Sequence, residues 1–240
     1  MSRKSEERKY LEGYRAEDYP RPSVAVDLVV FTIIDARLVV LLVRRKEHPF
    51  KGQWVVPGGF VRVGEGADQG EDLDQAARRE LKEETGLEAD RVHVEQLATF
   101  GKAGRDPRMR VISVAYVALV RPDLAPIVKA GGDAGDVRWA SLDELRRLEL
   151  GFDHRQILDA ALRRVRAGLE SSGVAFDLVP LTFTIPELRN VHAIVLDKEM
   201  DPGNFRRKFN RMLEDGLIEQ APGKRITTSK PATVYRFKRR

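Results

Sequence analysis

Apolar positions along this chain follow patterns that change character near residue 172. Residues 24–30 and 38–43 are runs rich in Val and Leu, separated by Asp35-Ala36-Arg37. Short, nearly continuous apolar runs predict strands buried on both faces, and the polar triplet predicts the turn between them. Residues 53–56 predict a short strand stopped by Pro57. Residues 92–100 and 111–120 predict two more strands around the polar loop 101–110, and 137–140 a last one. Helical spacing takes over at 72–85, at 142 to about 148, and at 153 to about 170. Ser141 is the N-cap of the second of these, with Glu144 completing a capping box. The third sets Ile157, Leu158, Ala161, Leu162, Val165 and Leu169 on one side. Ser171-Ser172-Gly173 is a loop signal, which places a boundary between a domain over 23–172 and another over 173–240. Residues 1–22 are polar and predict a loosely held arm.

Beyond that boundary the pattern is compact. Thr184 caps a helix that begins Ile185-Pro186-Glu187, with Pro in the first turn and Glu three residues after the cap. Leu188, Val191, Ile194 and Val195 form its apolar stripe. Asp201-Pro202 opens a second helix through Glu214, closed by Asp215-Gly216. Residues 217–219 and 232–237 predict a β-hairpin with a basic tip. Helix, helix, hairpin is the order of a winged helix-turn-helix, with a further element expected near 176–181.

Charge changes the picture of this second part. From Phe176 onward there are 13 Lys/Arg against 8 Asp/Glu, while the preceding residues hold 29 of each. The whole net charge of +5 therefore sits in the C-terminal quarter, which points to a polyanion. In the second helix Phe205, Phe209, Met212 and Leu213 share a face, opposite Asn204, Arg207, Lys208 and Arg211, with Arg206 and Asn210 at the margin. Arg and Asn suit bidentate contacts with guanine and adenine edges in a major groove, and Lys208 suits a phosphate as well as a base. Lys224, Arg225 and Lys230, spaced by Thr227, Thr228 and Ser229, make a wing tip for backbone phosphates, and Lys238-Arg239-Arg240 adds charge. A solvated basic face is the plain alternative. Agreement of basic face, wing and opposed apolar face favours double-stranded DNA.

Candidate chemistry in the first part centres on Arg79-Glu80-Leu81-Lys82-Glu83-Glu84-Thr85-Gly86-Leu87. On a helix Glu80, Glu83 and Glu84 share one face, where like charges repel by a few tenths of a kcal/mol per pair. A hard divalent cation such as Mg²⁺ removes that penalty, usually with a substrate phosphate in its shell. An ordinary Glu/Lys surface helix is the alternative. With no cysteine, disulfides and thiolate metal sites are excluded. No apolar stretch approaches the roughly 18 residues of a membrane span, and the start lacks a signal-peptide apolar region, so a soluble cytoplasmic protein without membrane contact is expected.

The 79–87 stretch, with Gly58 and Gly59 upstream, resembles the Nudix box: Gly, a first glutamate, then Arg-Glu-apolar-x-Glu-Glu-x-Gly-apolar. Glu71 lies eight residues before Arg79, where that pattern has its first glutamate, but eleven residues separate it from Gly59 where the family has five. The loop carries a six-residue insertion; if Glu65 takes the role instead, the insertion lies between it and the helix. Together with Gly104-Arg105-Asp106-Pro107-Arg108, Ile112-Ser113-Val114-Ala115-Tyr116 and Asn204-Phe205-Arg206-Arg207-Lys208, the box makes residues 24–237 resemble the NrtR family of Nudix-related transcriptional regulators. The resemblance implies an α+β chain, with a Nudix α/β/α sandwich followed by a winged helix-turn-helix. It implies a homodimeric repressor of NAD biosynthesis or salvage genes on a palindromic operator, released by ADP-ribose or a similar nucleotide. It also implies that catalysis is often weakened or lost.

If catalysis survives, Glu71, Glu80, Glu83 and Glu84 would carry it, with Mg²⁺ on the last three. Gly58, Gly59, Arg79, Arg105, Arg108 and Arg110 are the expected ligand-binding residues, the last three arginines neutralising phosphate. Phe100 and Tyr116 are stacking candidates, although core packing suits both. Two rival functions stand beside the repressor: an active Mg²⁺-dependent ADP-ribose diphosphatase with an accessory basic domain, and an RNA-binding module.

Overall fold

The computed structural model describes residues 3–64, 69–88, 92–125, 134–171, 177–226 and 230–238. The described part of the N-terminal arm is partly helical and exposed: α1 spans Arg3–Gly13 and a 3₁₀ turn spans Ala16–Asp18. An Arg8–Glu12 pair one turn apart supports α1, and Tyr14 stacks on Tyr19 behind it.

One mixed sheet organises the first domain. Its strands are β1 (Ser23–Ile34), β2 (Arg37–Arg45), β3 (Trp54–Val55), β4 (Gly58–Phe60), β5 (His93–Phe100), β6 (Val111–Leu119) and β7 (Ala134–Ser141). The main path runs β3-β2-β1-β6-β5, with β4 on β1 and β7 on β2. β1 and β6 are parallel over nine residue pairs, and the remaining pairings are antiparallel. Apart from Asp27 and Thr32, β1 and β2 read as nearly continuous apolar runs because both faces of the sheet are covered. Val26, Leu28 and Val30 face one core with Ala76, Ala77 and Leu81 of α2 (Leu73–Thr85). Val29 and Phe31 face the other, with Ile157, Leu158 and Ala161 of α4 (His154–Ser171). Asp35 and Ala36 both take positive φ, the geometry that closes a two-residue hairpin between β1 and β2. Short α3, Leu142–Arg147, has the predicted capping box of Ser141 and Glu144.

The second half is the predicted winged helix. α5 (Ile185–Leu196) and α6 (Pro202–Glu214) carry the expected caps at Thr184 and Asp201. β8 (Ile218–Arg225) pairs with β9 (Ala232–Phe237), and Phe183 adds one antiparallel bridge to Tyr235. Among the described residues, 177–181 form no strand or α-helix, so the element expected near 176–181 is not seen there. Val165 and Leu169 of α4 lie in one continuous core with Leu188, Val195, Phe205 and Phe209, so α4 packs against both halves. The boundary residues Ser172 and Gly173 lie outside the described residues, as do Glu65, Thr227–Ser229 and the final Arg239-Arg240. Among the described residues no helix is long and apolar enough to cross a membrane.

Candidate functional site

A cleft of about 470 Å³ opens where β1 parts from β2. β1 pairs with β2 over Phe31–Ile34, then with β4 over Ala25–Asp27, and the divergence leaves room between β2 and α2. Asp72 and Gln75 form a capping box at the start of α2, and Gly86 ends it in the left-handed conformation. That fixes which side chains of α2 face the cleft: Arg79, Glu80, Glu83 and Glu84.

The structure selects Glu71 as the partner of the box arginine. Arg79 grips its carboxylate through two hydrogen bonds, 2.8 Å from Nε and 2.5 Å from Nη2. This pairing holds the Glu71 carboxyl below its usual pKa. Arg62 N–H donates to Glu71 Oε1, and Glu71 N–H donates to Arg62 O, so Arg62 and Glu71 are paired directly in front of α2. Gly58 and Gly59 are required by close approach: a Cβ on Gly59 would lie 2.2 Å from Glu80 Oε1, and one on Gly58 2.3 Å from Val26 O.

Three glutamates share one end of the cleft, each with its own partner. Glu80 Oε1 accepts from Arg79 at 2.6 Å, Glu83 accepts from Arg62 and Arg79, and Glu84 Oε2 accepts from Gly58 N–H at 3.1 Å. Burial pushes the Glu84 carboxyl up to about 8, with the neighbouring Glu80 charge adding to it, so Glu84 is largely protonated at neutral pH. Burial raises Glu80 as well. Among the described residues no three acidic or imidazole side chains are placed to share one ion. A divalent hard cation wants ionised oxygens converging on one point. As placed, this set does not converge on one point, and arginines supply the balancing charge.

Arg105, Arg108 and Arg110 part company. Arg105 is buried and forks onto Asp153 at 2.6 and 3.0 Å, with a further bond to Asp27 at 3.2 Å. Ser113 Oγ also donates to Asp27, and His154 Nε2 lies 3.5 Å from it. His154 Nδ1 accepts from Val56 N–H at 3.0 Å, which fixes the ring, and burial holds its pKa below the ordinary value. Arg108 stands at the rim, bound to Asp106 and 5.3 Å from the Phe60 ring centroid. Arg110 is exposed and does not line the cleft. Tyr116 is core, donating to Asp74 at 2.7 Å, and Phe100 is half-buried against the core. Arg45, Phe152, Asp27 and His154 line the cleft too and were not singled out in the sequence.

On the second domain, Asn204, Arg206, Arg207, Asn210 and Arg211 are exposed along α6. Arg207 donates to Asn204 Oδ1. Two predicted DNA-binding residues point elsewhere. Lys208 is half-buried, and its ammonium donates to Leu169 O at 3.1 Å, in the last turn of α4 where carbonyls lack helical partners. Arg225 binds Glu187 Oε1 at 2.5 Å and Thr182 O at 2.9 Å, tying the hairpin to α5. Lys224 and Lys230 are exposed.

A nucleotide-sized cleft beside a box helix, sharing one core with a winged helix that presents a basic face, defines a two-domain Nudix and winged-helix protein. Residues 22–161 match the NUDIX domain family, and residues 175–237 match the NrtR DNA-binding winged helix domain. The chain belongs to the NrtR family. It is 34% identical, over 97% of its length and 89% of the relative's, to the ADPR responsive transcriptional repressor NtrR of Acinetobacter baylyi. The structure of Shewanella oneidensis NrtR with a 27mer DNA superposes with a TM-score of 0.74 at 35% identity, covering 90% of this chain and 93% of that one. The Nudix domain of the same protein with ADP ribose gives 0.59 at 34% identity, covering 69% and 99%.

Proposed function

We propose that this chain is a DNA-binding repressor whose affinity for its operator is set by ADP-ribose, or a closely related nucleotide, in the Nudix cleft. The observation that carries the reading is α4. At its start, Asp153 and His154 belong to the buried cluster that reaches the cleft through Arg105 and Asp27. Near its end, Arg166 donates to Val195 O of α5 at 2.9 Å, and Leu169 O holds Lys208 of α6. One rod of about 27 Å thus touches the ligand site and the recognition helix. A ligand with different affinity for two positions of that rod shifts α6 by thermodynamic necessity. We further propose a cytoplasmic homodimer on a palindromic operator near NAD biosynthesis or salvage genes, since a twofold dimer reads two half-sites. Effector binding as proposed needs no magnesium.

The test is a mobility shift with DNA from upstream of such genes, titrated with ADP-ribose at fixed salt. Saturating ligand is expected to weaken binding at least about fivefold, the low end of ordinary coupling energies. No change would remove the effector from the reading; conversion of the ligand to AMP would instead make the Nudix domain an enzyme. Arg207→Ala and Arg211→Ala are each expected to weaken operator binding by about 5- to 150-fold, the worth of one bidentate base contact. Lys208→Met, by contrast, should leave the slope of affinity against salt unchanged, whereas loss of a phosphate contact lowers it by about one. A flatter slope for Lys208→Met would put its ammonium back on the DNA.

A further inference from the structure

The arm that precedes the sheet carries an exposed aromatic surface. Tyr10, Leu11, Tyr14 and Tyr19 are between 46 and 65% exposed. Their three rings form a ladder: the centroids of Tyr10 and Tyr14 lie 5.8 Å apart, and Tyr14 stacks on Tyr19 at 5.5 Å. Among the described residues, every hydrogen bond and ion pair of residues 3–19 has both partners inside the arm. α1 has eleven residues, and an isolated helix shorter than about 12–15 residues is marginal in water. Its last turn holds Glu12 and no cation, the wrong sign for the helix dipole. Such a helix gains its stability by packing against another surface.

Pro20 and Pro22 join the arm to β1. Each fixes its own φ and holds the residue before it extended, so the link is a stiff spacer that projects the arm. Charge argues against nucleic acid as the arm's partner. Residues 1–22 carry six Lys/Arg and five Asp/Glu, and residues 10–19 hold three acids against Arg15 alone. An aromatic, acidic surface of this kind fits an apolar protein patch with a basic rim. One lies where β1 begins. On its β6 side Met109 is 48% exposed, and its sulfur accepts from Ser23 Oγ at 3.4 Å. On its β4 side Val63 is 86% exposed, two residues beyond the Val61 N–H that donates to Val24 O. Arg62, Arg108 and Arg110 adjoin them in the chain. Arg62 pairs with Glu83 and Arg108 with Asp106, whereas Arg110 is exposed and has no ion-pair partner among the described residues.

We infer that the arms are exchanged between two copies of this chain, the tyrosine face of each arm covering Met109 and Val63 of the other copy. This rests on the proposed homodimer and names its contact. A covered tyrosine buries about 150–250 Å², so the exposed parts of three give about 250–400 Å² per arm. Two arms, each masking a like area on the facing copy, bury about 1,000–1,600 Å² in all, against about 1,200–2,000 Å² for a stable specific interface. Leu11 adds to that area. Exchange is reciprocal, because a twofold axis repeats each contact of arm and sheet. Acid on the arm facing Arg110 beside the patch fixes the register.

Sedimentation of the full chain over a range of concentrations tests this. Tyr14→Ser removes the ring that both ladder contacts share, and Met109→Glu sets an acid against the acidic arm. Each is expected to raise the dimer dissociation constant at least about 30-fold, the worth of one interface hot spot. Both side chains are exposed, so neither change disturbs the core. The absence of cysteine allows a second measurement. Leu11→Cys and Met109→Cys, purified separately and mixed, should be joined to one another by a short bis-maleimide. A dissociation constant unchanged in both Tyr14→Ser and Met109→Glu would overturn arm exchange and leave the homodimer intact. So would cross-links that form only within single chains of the double variant Leu11→Cys, Met109→Cys. A wild-type chain that stays monomeric throughout would remove the homodimer, and arm exchange with it.

Discussion

Replacing Arg105 by methionine is expected to destabilise the folded protein by about 3–5 kcal/mol, the range for removing one partner from a buried ion pair. The Arg105 side chain is 4% exposed, and its two partners Asp27 and Asp153 are each 10% exposed. Burial works against the guanidinium charge, but Asp153 and Asp27 more than offset it and hold its pKa above the ordinary value. Without the cation, two carboxylates face one another beside His154 in a place water scarcely reaches. Methionine fills similar volume, so lost packing contributes little. The triple variant Arg105→Met, Asp27→Asn, Asp153→Asn should recover part of the loss, because it removes both stranded charges. Denaturant midpoints of wild type, Arg105→Met, the double variant Asp27→Asn, Asp153→Asn and the triple variant, read as a cycle, give the coupling directly. A loss below about 1 kcal/mol for Arg105→Met would mean that the cluster is hydrated and weakly coupled.

The same cluster explains why α4 can report on the cleft. Its first turn is held by charged groups that the ligand site shares, and its last turns by a carbonyl and a guanidinium that the winged helix shares. Arg166→Met keeps the aliphatic stem and breaks the bond to Val195 O. It is expected to preserve ADP-ribose affinity while shrinking the ligand's effect on operator binding, which calorimetry and mobility shifts measure separately.

Much of this was written in the sequence, and what was not has a physical reason. The box helix was legible because its signal is local: caps, spacing and glycine stop lie within fifteen residues. So was the winged helix, whose two capped helices and hairpin lie in sequence order. The lone Asp27 within the apolar run 24–30 was a signal that a buried charge needed a partner, but that partner, Arg105, lies 78 residues on. Arg45 ends an apolar strand and resembles an ordinary surface residue until the turn at Phe152 brings an aromatic ring to it. Lys208 shares a helical face with Arg207 and Arg211, and periodicity alone gives it to the DNA. Only the placement of α4, a tertiary fact, turns its ammonium inward. Arg225 was lost to Glu187 for the same reason: a chain-distant carboxylate competes for the charge.

His192 gives the second large effect. It sits in α5 among Leu188, Val191 and Val195, 1% exposed, with its ring 5.2 Å from that of Phe205. Among the described residues neither ring nitrogen has a hydrogen-bond partner. Burial lowers its pKa to about 4, and the nearby Lys208 charge acts in the same direction. An unfolded histidine titrates near 6.5, so between about pH 6.5 and 4 the unfolded chain holds a proton that the folded chain refuses. Stability from this group is therefore complete above about pH 6.5 and falls as pH drops towards 4. The expected loss is about 2 kcal/mol between pH 7 and pH 5, and about 3 kcal/mol by pH 4. Carboxylates titrate in the same window, so the informative quantity is the difference between wild type and His192→Leu. Leucine has similar bulk and leaves no orphaned nitrogen, and at pH 7 it should be neutral or stabilising by about 1 kcal/mol. At pH 5 its advantage should have grown by about 2 kcal/mol. A difference that stays flat from pH 7 to pH 5 would mean that the imidazole accepts a proton in the folded state, and hence that water reaches the space between α5 and α6.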